Sequence, residues 1–227
     1  MTSEPQTPIV FLSGAGLPAW IWDEVRASLP VDSVVAGYPK LARATLRDYA
    51  EAVLAQAPDG EFTIVAHSIG GVVASEVVAV APERVGGLLG VAASVPAAGR
   101  SFLGALPAPG RQIVGLIMRV AGTRPPEKVI RAGLCSGIGA ADVARIVADF
   151  EPESQRLYRD RVSARVLPAR TGYVMTTRDK EFPVALQGRY ADELGAGWRR
   201  EVAAGHLPML EDPATLSQIL KEFVAGA

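Results

Sequence analysis

The sequence predicts a three-layer α/β fold with a mainly parallel sheet of about six strands, helices on both faces and a small helical cap. Three observations carry this reading. Short β-branched runs alternate with helical patterns along most of the chain. The runs are apolar at successive positions, as strands covered on both faces must be. Residues 95–169 break the rhythm, with many prolines and glycines, helical patterns and no good strand.

Pro8–Leu12 (PIVFL) reads as the first strand and ends at Gly14 and Gly16. A helix over Trp20–Leu29 follows, then a second strand over Ser33–Ala36. Thr45–Ala55 is a helix, with Thr45 as N-cap and Asp48 three residues on, the spacing of a capping box. Phe62–Ala66 is the third strand, and Ser68–Ala81 is a helix stopped near Pro82. Val85–Ala93, Tyr173–Thr176 and Arg200–Ala203 are the remaining strands, and Leu216–Ala225 closes the chain as a helix. This divides the chain into a core of residues 1–94 and 170–227 and a cap insertion of residues 95–169. Helical patterns in the cap lie near 113–121, 140–149 and 152–162. Right-handed crossovers bring the C-terminal ends of all strands to one edge, where such folds bind ligands.

The totals narrow the function classes. The chain has 227 residues, 49% hydrophobic and 21% charged, with a formal net charge of -1. That size and balance give a globular protein with an ample core. No long run of one charge sign points to nucleic acid or an anionic membrane. Arg111, Arg119, Arg124, Lys128 and Arg131 tilt the first half of the cap toward basic, which reads as solvated helix faces. Ile113–Gly122 is too short, and too interrupted by Arg119, to span a bilayer. Cys135 is the single cysteine, so no internal disulfide and no Cys/His metal cluster is expected. The N-terminus shows no signal-peptide pattern, and a reducing cytoplasm fits. No cofactor is expected: Gly14 and Gly16 start a dinucleotide fingerprint that fails at Ala19. A homodimer stays open.

Chemistry is expected right after strands. In Ile64–Gly71 (IVAHSIGG) a strand runs into Ser68 and then a helix, the context of a nucleophile elbow. A serine hydroxyl needs a base near neutral pH. Of the two histidines, His67 adjoins Ser68 in the elbow and should point away, so it reads as packed. His206 follows the last strand and is the candidate base. Asp179, after the fifth strand, is the candidate orienting acid, with Glu181 as the alternative because loop register is loose. An acid after the fourth strand is ruled out, since Ala92–Phe102 holds no Asp or Glu. The Ile69 amide at the helix start and the Ala15 amide in the loop after the first strand are the candidate oxyanion donors.

These segments resemble the α/β-hydrolase superfamily, and within it the branch of plant-type methylesterases and hydroxynitrile lyases. The resemblance rests on FLSGAGLPAWIW, VAHSIGG, YVMTTRDKEFP and AAGHLPMLEDP. It implies an α/β-hydrolase fold, a Ser68–Asp179–His206 triad, and tryptophans (Trp20, Trp22) that pack the first helix. Ser13 stands where the family usually has histidine, and Ala66 where the elbow usually has glycine. Hydroxynitrile lyases resemble one another in a lysine after the catalytic histidine and a threonine in the oxyanion loop. Leu207 and Gly14 occupy those positions here, which favours ester cleavage. The expected substrate is a small, largely apolar ester or thioester. Acyl transfer, release of an acyl group from a carrier protein, and ligand binding without turnover are the alternatives. Leu103, Leu106, Ile113, Leu116, Ile117, Met118 and Leu134 suggest either an apolar pocket or core packing in the cap.

Overall fold

The computed structural model describes residues 7–108 and 110–226. The signal-peptide reading falls partly on residues 1–6, which lie outside the described residues. β1 (Ile9–Leu12), β2 (Ser33–Val35), β3 (Phe62–His67), β4 (Val85–Val91), β5 (Arg170–Thr176) and β6 (Trp198–Val202) form one sheet in the order β2-β1-β3-β4-β5-β6. All neighbouring pairs are parallel. The reversal of direction beside β1 puts its C-terminal end and that of β3 at a topological switch point.

β1 shows why a central strand is apolar throughout. Its side chains alternate between faces. Val10 and Leu12 join one buried cluster, with Tyr49, Val53, Val73 and Val77. Ile9 and Phe11 join the other, with Val25, Leu216, Leu220 and Phe223. Helices α1 (Asp23–Ala27), α2 (Leu46–Gln56) and α3 (Gly70–Val80) connect the first four strands. The Thr45 side chain accepts from the Asp48 amide at 3.0 Å while the Asp48 carboxylate accepts from the Thr45 amide at 2.8 Å, closing the capping box.

Between β4 and β5 the chain forms α4 (Phe102–Ala105), α5 (Gly110–Ala121), α6 (Glu127–Val129), a π-type turn (Ile130–Leu134), α7 (Ala140–Asp149) and α8 (Gln155–Arg159). Met118, Leu157, Tyr158 and Val162 of this segment are buried in the same cluster as Val10. Leu103 and Leu106 pack at its edge, and Leu134 packs against the opposite cluster. Ile113, Leu116 and Ile117 are exposed instead, serving neither core nor pocket.

After β5 come α9 (Val184–Glu193), α10 (Pro208–Glu211) and α11 (Pro213–Ala225). Sequence reading places no helix between the last two strands, yet α9 must exist, because parallel neighbours need a crossover. Its signal is weak: the apolar positions Leu186 and Tyr190 bracket Gly188, and Gln187 is buried among them. The expected helix Trp20–Leu29 is a tight turn (Ala19–Trp22) followed by the shorter α1. The helix expected from Ser68 starts at Gly70, because Ser68 itself is not helical.

Candidate active site

Ser68 sits between β3 and α3 at φ 53°, a left-handed conformation that among the described non-glycine residues only Ala92 shares. Such strain persists only where the surroundings impose it. The Ser68 carbonyl accepts from the Gly71 amide at 3.1 Å and the Ser94 amide at 2.8 Å, which fixes the turn. The turn is also tight enough to require the two glycines. A Cβ on Gly70 would lie 2.6 Å from the Leu12 carbonyl oxygen, and one on Gly71 2.5 Å from that of Ser94.

His206 follows β6 and is buried. Its Nε2 lies 3.0 Å from Ser68 Oγ and its Nδ1 2.8 Å from Asp179 Oδ2. A carboxylate only accepts, so Nδ1–H donates to Asp179 and Nε2 is left to accept the Ser68 hydroxyl. Asp179 Oδ2 also accepts from the Thr176 hydroxyl at 3.0 Å. Its Oδ1 accepts from the amides of Glu181 at 2.7 Å and Phe182 at 2.9 Å. Burial works to raise the Asp179 pKa, but the His206 hydrogen bond and charge and the two amides outweigh it and hold the carboxyl below its ordinary range. Asp179 is therefore held ionised beside the His206 ring. Glu181, the alternative acid, offers Asp179 its backbone amide; its carboxyl packs against Gly133, and burial raises its pKa.

Ala15 and Ile69 share a cavity of about 150 Å³ with Ser68, His206, Phe102, Leu134, Tyr158 and Phe182. Among the described residues neither the Ala15 nor the Ile69 amide has a hydrogen-bond acceptor. Unpaired amide donors beside a hydroxyl are an arrangement that could hold a developing oxyanion. The loop passes so close to Ser68 that a Cβ on Gly14 would lie 2.9 Å from the serine Cβ. A larger cavity of about 850 Å³ lies across Ser13–Pro18, but neither Ser68 nor His206 lines it. Ser68 and His206 both line the smaller one.

Residues from the β4–β5 segment brace the loop that carries Ala15 from behind. The Gly16 amide donates to Glu153 Oε1 at 3.3 Å, and the Glu151 amide donates to the Gly16 carbonyl at 3.1 Å. Gly16 has φ 70°, and the Phe150 ring fills the space a Cβ would take. Glu153 Oε2 accepts from Tyr49 Oη at 2.7 Å. Burial raises the Glu153 pKa, partly offset by the Tyr49 and Gly16 hydrogen bonds. A folded-state pKa above the unfolded one favours folding at low pH, and that benefit is lost as pH rises through the folded value. Glu153→Gln should therefore gain melting temperature over the wild type as pH goes from about 4 to about 7, across the ordinary Glu range. Calorimetry of both proteins over that interval measures the difference, and a constant gap would contradict the account.

A model of the alpha/beta hydrolase family matches residues 9–219. The chain belongs to the alpha/beta hydrolase family. Among hydrolases of known sequence, pimeloyl-acyl-carrier-protein methyl ester esterase of Pectobacterium carotovorum subsp. carotovorum (strain PC1) is 39% identical over 98 residues. That match spans 39% of this chain and only 37% of the relative. Among solved hydrolase structures, an extracellular α/β-hydrolase from a Paenibacillus species is similar at TM-score 0.81 and 18% identity, over 95% of this chain and 98% of that one. A methylesterase from Arabidopsis gives TM-score 0.78 at 18% identity, covering 97% and 100%. Polyneuridine aldehyde esterase gives 0.76 at 20%, covering 96% and 98%. The expected likeness to the methylesterase branch thus holds at the level of fold.

Within this hydrolase fold, the structure adds contacts at His67, Gln187, Trp22 and Trp20 that the sequence does not show. His67 does point away from Ser68, but it is more than packing. Its Nε2 lies 2.8 Å from the His206 carbonyl, which fixes the proton on Nε2, and its Nδ1 is buried without a partner. Burial, reinforced by the neighbouring His206, pushes its pKa down to about 3, so it stays neutral. His67→Phe removes the one donor that, among the described residues, reaches the His206 carbonyl. It should lower kcat by about tenfold to a hundredfold with KM little changed, the cost of slight misplacement at a reacting centre. Steady-state kinetics on a chromogenic ester measure this, and unchanged kcat would refute it. Gln187 of α9 was not anticipated at all. It is fully buried, accepts from the Thr176 amide at 2.9 Å, and donates to the carbonyls of Thr176 at 2.9 Å and Phe182 at 2.7 Å, pinning both ends of the Asp179 loop. Only the existence of α9 in the sequence pattern would have pointed to it. Trp22 packs against Phe11 and donates to Ser13 Oγ at 3.1 Å, so the serine in the usual histidine position supports the loop from below. Trp20 packs against the cluster that contains Val25 of α1 and donates to Asp149 Oδ2 of α7 at 2.9 Å, beneath the Arg145 guanidinium.

Proposed function

We propose that this protein is a serine hydrolase that cleaves a carboxylic ester or thioester of a small, largely apolar substrate through an acyl-enzyme. The observation that carries the reading is the hydrogen-bonded chain Ser68–His206–Asp179, at 3.0 and 2.8 Å, opening into an apolar cavity beside two unpaired amides. Ser68 Oγ attacks the carbonyl carbon as His206 Nε2 takes its proton. The Ala15 and Ile69 amides hold the oxyanion, and Asp179 stabilises the imidazolium. The imidazolium protonates the leaving alcohol or thiol. Water, deprotonated by His206, then releases the acid and restores Ser68. Residues 95–169 act as the cap that sets specificity, since Phe102, Leu134, Phe150 and Tyr158 supply much of the cavity wall. The lone, buried Cys135 is in keeping with a reducing cytoplasm.

Release of an acyl group from a carrier protein is the second reading, favoured by the local similarity to an esterase named for such a substrate. Fluorophosphonate labelling read by intact mass tests the nucleophile. One adduct on the wild type, absent from Ser68→Ala, is expected; folded wild-type protein that stays unlabelled would favour binding without turnover. Product analysis with added alcohol or amine separates hydrolysis from acyl transfer.

A further inference from the structure

Among the described residues, the outer side of α5 is an apolar face that neither core nor cavity uses. Its inner side is held: Met118 is buried, Gln155 donates to the Met118 carbonyl at 3.0 Å, and Arg159 to that of Gly115 at 3.4 Å. Its outer side carries Ile113, Leu116, Ile117 and Val120, which are 55%, 63%, 51% and 80% exposed. The spacing i, i+3, i+4, i+7 makes these one continuous stripe. Val129, in the short helix α6 that follows, is 53% exposed as well. Five of the eight exposed large aliphatic side chains among the described residues thus lie within residues 113–129. Scattered apolar residues need no explanation, but a contiguous patch does.

The sequence that carries the stripe has charge of one sign. No Asp or Glu occurs between Arg84 and Glu127, while Arg100, Arg111, Arg119 and Arg124 do. Glu127 is paired with Arg131 at 2.7 Å. Arg111, Arg119 and Lys128 are exposed and, among the described residues, have no acidic partner. The net charge of -1 for the whole chain conceals this local excess.

We propose that the α5 face docks on an anionic lipid surface, lying in the headgroup region with its aliphatic stripe turned toward the acyl chains. Apolar residues on one side and cations at the flank are the two requirements for such a helix. A second copy of the chain fits less well, because two-fold pairing would bring like cations together. An acidic protein partner would need a groove to receive a convex ridge, whereas a fluid surface deforms around it. No helix of the described residues is long and apolar enough to cross a membrane, so the contact is one of lying on the surface. Val129 also lines the cavity that holds Ser68, next to Pro125 and Thr123. If the reading under Proposed function holds, a lipid-borne ester would enter from this side, but docking does not depend on it.

The test is sedimentation of the purified protein with vesicles of phosphatidylcholine alone and with added phosphatidylglycerol. Binding is expected on the anionic vesicles, and should weaken as salt rises. Leu116→Asp with Val120→Asp should abolish it. Arg119→Gln with Lys128→Gln should weaken partitioning about twenty-five-fold, about fivefold for each cation removed. Circular dichroism confirms that the variants fold. Fluorophosphonate labelling of Ser68 in the same variants reports the catalytic reading separately. The proposal is overturned if the protein does not co-sediment, or if the stripe variants bind undiminished. It is equally overturned if the wild type is a dimer that Leu116→Asp splits, or if it binds an acidic carrier protein and not the vesicles.

Discussion

Replacing Ser68 by alanine should lower kcat for ester hydrolysis by about a million-fold, to the level left when a triad acting as a unit loses its nucleophile. The residual rate would come from the Ala15 and Ile69 amides and from binding alone. KM should stay near the wild-type value, because Oγ is needed only once bond making begins. The variant should also keep its fold. Alanine and serine meet the same backbone strain at φ 53°, and the main-chain bonds from Gly71 and Ser94 do not involve the hydroxyl. Progress curves at high enzyme concentration, with thermal melting as a control, measure both quantities. Hydrolysis within tenfold of the wild type would remove Ser68 from the mechanism.

Asp179→Asn should cost about 10⁴-fold in kcat without disturbing the structure. The Glu181 and Phe182 amides donate to Oδ1, so the asparagine carbonyl oxygen will take that position and its NH₂ will take the position of Oδ2. A donor then faces His206 Nδ1. The ring must accept there, its proton moves to Nε2, and it can no longer accept from Ser68 Oγ, now 3.0 Å away. Glu181→Gln is the matched control: the backbone amide that serves Asp179 remains, and activity should stay within about tenfold, the effect of one rim charge near the base. Equal losses in the two variants would show that the orienting acid had been assigned to the wrong carboxylate.

How far the site could be read in advance depended on local crowding and on scarcity. Ser68 was legible because Gly70 and Gly71 follow it, and the packing against Leu12 and Ser94 explains why nothing larger fits there. His206 was legible because the chain has one other histidine, and Asp179 because the loop after β4 has no acid. The central strands β1, β3 and β4 were legible because they are apolar on both faces, whereas the edge strand β6 carries exposed Arg199, Arg200 and Glu201, and β5 and β6 begin earlier than the sequence pattern suggests. What stayed hidden depends on residues distant in sequence. Gln187 looks like an ordinary surface glutamine until α9 folds under the Asp179 loop. The role of His67 requires knowing where the His206 carbonyl lies, 139 positions away. Ile113, Leu116 and Ile117 have core-like chemistry, and only the packing of α5 through its other side reveals them as surface.

The clamp on Gly16 bears on any attempt to redesign this protein. Asp149, Phe150, Glu151 and Glu153 hold Trp20 and the loop that carries the Ala15 amide. The segment between β4 and β5 is therefore not a detachable specificity module. A chimera that takes another hydrolase's lid would import a new pocket and at the same time cut the struts under its own oxyanion loop. Grafts that keep residues 149–153 and exchange only what lies before them leave those struts in place.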